Sequence, residues 1–381
     1  MSAMGYLAAS ILPRTASAGS AVALPILAVQ QLDNVGIGGA LVAASLGPSV
    51  LSAPAAGAAL DRARRPGILV AAAGLMTAAA LAVTAFLGQV PLPLILVSLA
   101  LAGAVSPFYM GGLSSFVSGS IPDVRRAFAY DSLSYNFSAV AGPALVAVMA
   151  TFLPAAAAVG VLSTAAVAGA LIVGGIGLKP HPATEVPAWH AVKAGLHWIF
   201  RHRPLAVVTV SSTLTQLGQG GLAIAAVALS IERTGTAGEG AFIVTAFAIG
   251  SLLGALIETI RPSRRSPHRV MMVGFFITGL FTVTAALNFG IAWTVLAIGA
   301  SGACTAASAA AMLTLRSRLS QPHLRSQIFT VGAGLRTSAS AAGAGLAASV
   351  TGLGGAVAVA SIGVIWILSA AAMKTYPEEI S

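Results

Sequence analysis

The chain has 381 residues, 57% of them hydrophobic and only 8% charged, and its mean hydropathy is +0.91. A soluble domain of this length needs a polar surface that such a sequence lacks, so a soluble enzyme or binding module is excluded. The formal charge of +10 is carried by short breaks between apolar stretches, which points to membrane topology and away from a nucleic-acid partner.

Apolar runs of roughly 20 residues recur along the whole length, each long enough to cross a bilayer as a helix that satisfies its own backbone. The alternation of a membrane β-barrel is absent. The sequence predicts an all-α membrane protein with twelve spans, beginning with 8–31, 36–59 and 67–89. Span 1 contains Arg14. Its stretch TASAGSAVA has the small residues of a signal-peptidase site but no basic region before it, so the segment is read as a retained helix. Span 2 runs into GAALDRARRPGIL, residues 57–69, where four of the scarce charges fall between Asp61 and Arg65.

Span 4, 92–119, carries no charge but contains Pro107-Phe108-Tyr109, where a proline break can open a helix toward a cavity. Span 5, 125–151, holds Asp131, Tyr135, Asn136 and the pair Gly142-Pro143, and span 6 covers 154–177. Residues 179–205 carry nearly all the polarity of the middle of the chain. Within them Ala188–Phe200 is predicted as an amphipathic helix on the membrane surface, with Trp189 and Trp198 toward the lipid. Span 7, 204–230, contains Gln216 and Gln219; span 8, 238–259, ends at Glu258. Spans 9, 10, 11 and 12 follow at 269–289, 291–314, 326–350 and 353–373, with Arg336 inside span 11. The single cysteine, Cys304, excludes an internal disulfide.

The basic residues assign sides. Arg62, Arg64, Arg65, Arg125, Arg126, the cations of the 179–205 segment, Arg261, Arg264, Arg265, Arg269, Arg316, Arg318 and Arg325 all fall in even-numbered connections. The odd-numbered ones contain Arg233 alone. The positive-inside rule then places the even connections and both termini in the cytoplasm. All six histidines also lie in even connections, so no metal site or other cofactor is expected.

The two halves repeat. GSAVALPILAVQQLD ends at Asp33 and GQGGLAIAAVALSIE at Glu232, a lag of 199. GAALD and GALIE end at Asp61 and Glu258, a lag of 197; IPDVRRAF and QPHLRSQI place Pro122 over Pro322 and Arg125 over Arg325, a lag of 200. Six spans in 1–178, a cytoplasmic linker in 179–203 and six spans in 204–381 make two parallel repeats. Such halves can rock about a central site, which argues for transport.

On these features the chain resembles the major facilitator superfamily over essentially its whole length. The family's loop between helices 2 and 3 follows Gly-x-Leu-Ala-Asp-Arg-x-Gly-Arg-Arg/Lys. Here Gly57, Leu60, Asp61, Arg62 and Arg65 match it, the leucine one place late, with Arg64 at the second glycine and Pro66 at the last basic position. Gly142 and Pro143, in SAVAGPALVAV, fit the core of the helix-5 Gly-Pro pair common among exporters. The helix-4 arginine of many proton-coupled members is absent. The resemblance implies two pseudo-symmetric six-helix bundles, with spans 1, 4, 7 and 10 facing the cavity and spans 1 and 5 as neighbours. It implies that Asp61 faces the N-terminus of span 11 while the cytoplasmic side is closed, with Glu258 as a weaker counterpart, so that this motif gates and does not touch the substrate.

Ionisable residues inside spans are functional candidates. Asp131 reads either as a carrier of a proton or cationic substrate, or as a structural partner that neutralises Arg14. Arg336 reads either as a bidentate anion binder or as a side chain snorkelling to the cytoplasmic surface. Asp33, Glu232 and Glu239 lie near the opposite mouth and read as solvated charges. Tyr109, Tyr135, Asn136, Gln216 and Gln219 are uncharged candidates for substrate contact, weighed against plain interhelical packing. The glycines at 332 and 334 follow no strand, so they do not form a nucleotide loop, and an ion or substrate gradient must supply the energy.

The expected protein is therefore a secondary transporter working by alternating access in a bacterial cytoplasmic membrane. It is expected to be monomeric, with a small-molecule substrate, protons and lipid as partners. Export of a small amphipathic compound, with proton antiport through Asp131, is the leading reading. Uptake of an anionic metabolite recognised by Arg14 and Arg336 is the alternative, and a non-transporting membrane sensor is a third.

Overall fold

The computed structural model describes residues 3–116, 124–176, 178, 188–260, 263, 265–320 and 325–377. Among these the chain is almost entirely helical. The first half contains α1 (Ala3–Leu32), α2 (Val35–Arg62), α3 (Pro66–Thr84), α4 (Leu92–Pro107), α5 (Val124–Phe152) and α6 (Ala155–Gly175). A connecting helix, α7 (Ala188–Arg201), precedes α8 (Arg203–Thr234), α9 (Gly240–Ile260), α10 (Pro267–Ala285), α11 (Ile291–Leu319), α12 (Arg325–Val350) and α13 (Gly355–Ala372). Eleven of these helices are long and apolar enough to cross a membrane. The remaining long helix, α12, is 26 residues long, enough to span, but is diluted by Arg336 and by its run of Ser, Thr and Gly. Large side chains such as Leu51, Leu171, Leu296 and Leu368 lie exposed on helix flanks, which water would not tolerate in this number but lipid favours.

Local chemistry sets the helix ends. Asp33, at φ 49°, turns the chain between α1 and α2, and Asn34 caps α2 by accepting the Ile37 amide at 3.0 Å. Pro66, Pro204 and Pro267 sit in the first turns of α3, α8 and α10, where a missing N–H costs nothing. Gly235 ends α8 in the left-handed region, at φ 72°. Arg233, the exception to the charge asymmetry, closes α10: its guanidinium donates to the carbonyls of Ala286 and Leu287 at 2.8 and 2.7 Å and to the Thr294 hydroxyl. These are orphan acceptors at a helix C-terminus, where a cation is favoured.

The chain divides into two compact units, Met1–Ala188 and Trp189–Ser381. In the first, α1 packs on α5 and α6, α2 on α4, and α3 on α4 and α6. In the second, α8 packs on α12 and α13, α9 on α11, and α10 on α11 and α13. Every pairing has its counterpart, so the repeat in the sequence is a repeat in packing.

Close crossings follow the same register. A Cβ on Gly142 of α5 would meet the Gly19 backbone nitrogen of α1 at 2.5 Å. The positions 201 residues on, Gly343 and Gly220, are likewise each pressed on the partner backbone, at Leu217 and Ser340. Gly38 abuts Pro25 as Gly240 abuts Val227, 202 residues later. Small residues at such crossings let helices approach within van der Waals reach where no hydrophobic force drives association.

The amphipathic connection forms as predicted, over Ala188–Arg201, but it is turned differently. Trp198 packs with Ile199 against Leu205, Ile328 and Val331 of α8 and α12 and stacks on His202 at 5.9 Å. Leu196 and Phe200 are the exposed apolar residues instead. The Trp189 side chain lies outside the described residues.

Candidate functional site

The first unit contains a buried ion pair. Arg14, on α1, is 1% exposed, and its Nη1 lies 2.8 Å from Oδ1 of Asp131 on α5. The same carboxylate oxygen accepts the Tyr6 hydroxyl at 2.5 Å and the Ser114 hydroxyl at 2.9 Å. Tyr6 and Arg14 are eight residues apart, about two turns, and so share one face of α1. Arg14 Nη2 donates to the Ser114 hydroxyl at 2.8 Å and to the Met110 carbonyl at 3.1 Å. Its Nη1 also donates to the Ser134 hydroxyl, and the guanidinium carbon sits 3.6 Å over the Tyr135 ring.

The break at Pro107 explains how a backbone carbonyl is available. Proline removes one helical donor, and the orphaned Gly103 carbonyl takes the Ser106 hydroxyl at 2.9 Å. The helix then widens into a π-turn over Phe108–Gly112 and resumes for Leu113–Ser115. Such a turn interrupts the usual ladder, and Met110 faces Arg14 from within it.

Tyr109, in the same turn, points elsewhere. It is buried in the core of the first unit with Leu113, Phe116 and Val173 and accepts the Thr77 hydroxyl at 3.4 Å. Asn136 lies on an exposed face of α5. Gln216 donates its amide to Gln219 at 2.9 Å, so this pair is joined along one face of α8.

Of the loop motif, Gly57 is exposed with open space around it and Arg65 is exposed at the start of α3; the Asp61 and Arg62 side chains lie outside the described residues. Glu258 accepts the Ser263 amide of its own loop at 3.0 Å. Gly142 serves the α1–α5 crossing, and Pro143 is buried beside it.

One of the three charges near the opposite mouth does more than face solvent. Glu232, near the end of α8, accepts the Ala356 amide in the first turn of α13 at 3.1 Å. In the first unit Gln30, near the end of α1, accepts the Ala155 amide at the start of α6 at 2.7 Å. Each satisfies an orphan donor at a helix N-terminus.

Sequence reasoning missed Arg316. The sequence places it in a connection, beyond a span that ends at residue 314, yet α11 runs to Leu319 and Arg316 is only 2% exposed. Its Nη2 donates to the Ser212 hydroxyl of α8 at 2.9 Å, and its guanidinium lies on Gly332 of α12. The signal was present in the repeat: at a lag of 200, Arg316 aligns with Phe116, which lies inside span 4.

No family model matches the chain. It is 23% identical to an uncharacterized MFS-type transporter, y4rN, of Sinorhizobium fredii, over 98% of this chain and 94% of that protein. Among solved structures, a variant of the nucleoside transporter NupG superposes with a TM-score of 0.80 at 14% identity, covering 98% of this chain and all of that one. A variant of the peptide transporter POT gives 0.76 at 13% identity, covering 97% and 93%. The chain is thus similar along its whole length to an MFS-type transporter, and it shares the fold of these two transporter structures.

Proposed function

We propose that this transporter exports a small amphipathic organic compound from the cytoplasm by alternating access, in exchange for protons that act on Asp131. The observation that carries the reading is the Arg14–Asp131 pair, a charge balance buried where α1, α4 and α5 meet. A proton arriving at Asp131 cancels the carboxylate that neutralises Arg14, and so alters the joint between three helices. The Gly142-Pro143 pair supports export, being the core of a pattern common among exporters of the superfamily. Gly57, Asp61, Arg62 and Arg65, with Glu258, bias the conformational equilibrium in this reading. Tyr135, Asn136, Gln216 and Gln219 remain candidates for substrate contact. The protein acts as a monomer with both termini in the cytoplasm, residues 1–178 and 204–381 being its two bundles and 179–203 the linker.

The test is flux in proteoliposomes and everted vesicles, using a panel of fluorescent amphipathic compounds under an imposed pH gradient. Gradient-driven movement out of the cytoplasmic space, uncoupled from pH by Asp131→Asn, is the expected result. A normal gradient response in Asp131→Asn removes the proton role.

Uptake of an anionic metabolite is the second reading. Arg336 favours it, having no carboxylate partner among the described residues; Arg14 does not, since Asp131 already engages it. Accumulation by intact cells distinguishes it from export.

A further inference from the structure

The interior of the second unit holds two cations and, among the described residues, no anion to match them. Arg316 lies on α11 and Arg336 on α12, and the Arg316 guanidinium lies against Gly332, one turn before Arg336. The Nε atoms of both are buried without a hydrogen-bond partner. Of the described acidic residues of this unit, Glu232 is engaged by the Ala356 amide and Glu258 by the Ser263 amide, while Glu239 stands just before α9, at the far end of the unit from Arg316 in the last turn of α11. An uncompensated guanidinium in a low-dielectric interior is strongly disfavoured, because the desolvation it suffers is not repaid by a counter-charge. Snorkelling does not relieve it, because Arg316 is 2% exposed. Arg336 lies eleven residues from the start of α12, roughly 16 Å along the axis.

The repeat shows what is missing. The crossing of α1 with α5 maps onto that of α8 with α12 at a lag of 201, as Gly19 and Gly142 map onto Gly220 and Gly343. At the same lag Asp131 maps onto Gly332 and Tyr135 onto Arg336. The first unit thus has a carboxylate where the second has a glycine, and a ring over the arginine where the second has another arginine. The Arg316 guanidinium rests on the place left bare: a Cβ on Gly332 would lie 2.9 Å from its Cζ. Ser212 holds the guanidinium from the other side, while giving its own proton to the Thr209 carbonyl at 3.0 Å. Gly332 and Arg336 are one turn apart on the same face of α12, so Arg336 stems from the face against which the Arg316 guanidinium lies.

We propose that Arg316 and Arg336 form a binding site for an oxyanion, a carboxylate or phosphate group on the transported compound, with Ser212 and Gly332 as positioning residues. A planar guanidinium presents paired donors that match such a group, and two of them neutralise a phosphate where no protein carboxylate competes. The assignment of the anion to the cargo rests on the transporter reading; the binding itself does not.

The experiment is thermal unfolding of the purified full-length protein in detergent with sodium phosphate, sodium acetate or sodium chloride at equal ionic strength. Parallel samples in nanodiscs of phosphatidylcholine and of phosphatidylglycerol identify the source of the anion. Phosphate or acetate is expected to raise the melting temperature saturably above chloride. Arg316→Gln and Arg336→Gln should abolish the response. Gly332→Asp, which puts a carboxylate back at the mapped position against a flexible side chain, should stabilise the protein in chloride and remove the response to phosphate.

Protection by phosphatidylglycerol nanodiscs but not by soluble anions upholds the site and gives it to a lipid headgroup. The proposal is overturned if no anion protects the wild type, or if the glutamine variants respond as the wild type does. It is also overturned if Gly332→Asp only destabilises. Absence of flux in proteoliposomes would count against the transporter reading and leave these binding outcomes unchanged.

Discussion

Asp131 is the single carboxylate that meets Arg14 among the described residues, at 2.8 Å, and it is held there by the hydroxyls of Tyr6 and Ser114. Three helices therefore share one charge balance. Replacing Asp131 by Asn leaves Arg14 buried and unmatched, and should cost roughly 3–5 kcal/mol of stability. The double variant Arg14→Gln/Asp131→Asn should recover part of that loss. A double-mutant cycle in denaturant unfolding checks it, and additive losses would show that the pair is not coupled.

The crossings at Gly142 and Gly343 press a glycine onto a partner helix backbone that has no room to move away. Gly142→Leu and Gly343→Leu should each cost at least about 2 kcal/mol, by overpacking. Gly160→Ala and Gly345→Ala, at glycines with open space around them, should leave stability unchanged. Melting temperatures of the four variants read the contrast directly.

Removing the acceptors at the helix N-termini tests a smaller interaction. Gln30→Ala and Glu232→Ala should each cost about 1 kcal/mol, the usual worth of a capping side chain. Faster amide hydrogen exchange should appear locally, at Ala155 in the first variant and at Ala356 in the second.

Arg233 is predicted to be structural and not topological. Arg233→Gln should lower stability by roughly 1.5–3 kcal/mol through its lost charge-assisted bonds to Ala286 and Leu287. Cysteine-scanning orientation, in a background lacking Cys304, should be unaltered.

The spans were legible in the sequence to within a few residues at most ends, because a bilayer demands long apolar helices and breaks between them carry charge. The repeat was legible from Pro122 over Pro322 and Arg125 over Arg325, whereas the structure matches Glu232 to Gln30, three residues before the Asp33 that the sequence aligns with it. Orientation of side chains about each helix was not. An almost uniformly apolar helix carries little periodic signal, so the sequence directs Trp198 to lipid while the structure packs it against α8 and α12, and for Tyr109 it leaves substrate contact and interhelical packing both open. Arg316 was read as a loop residue because a cation near a span end ordinarily marks the membrane boundary. The pairing of Arg14 with Asp131 was visible as one of two readings, since two opposite charges in neighbouring apolar spans have few other ways to be neutralised.

The bonds between Gln30 and Ala155 and between Glu232 and Ala356 join the first membrane-spanning helix of each unit to its last. One acceptor is an amide and the other a carboxylate, so the side chain drifted while the bond stayed. The glycines at the crossings did not drift: Gly19 and Gly142 reappear as Gly220 and Gly343. A capping position accepts any side chain with an oxygen in reach, whereas a backbone pressed on a backbone accepts only a hydrogen. Substitutions that exchange one acceptor for another across the two halves should therefore be interchangeable, and those that add a carbon at the crossings should not.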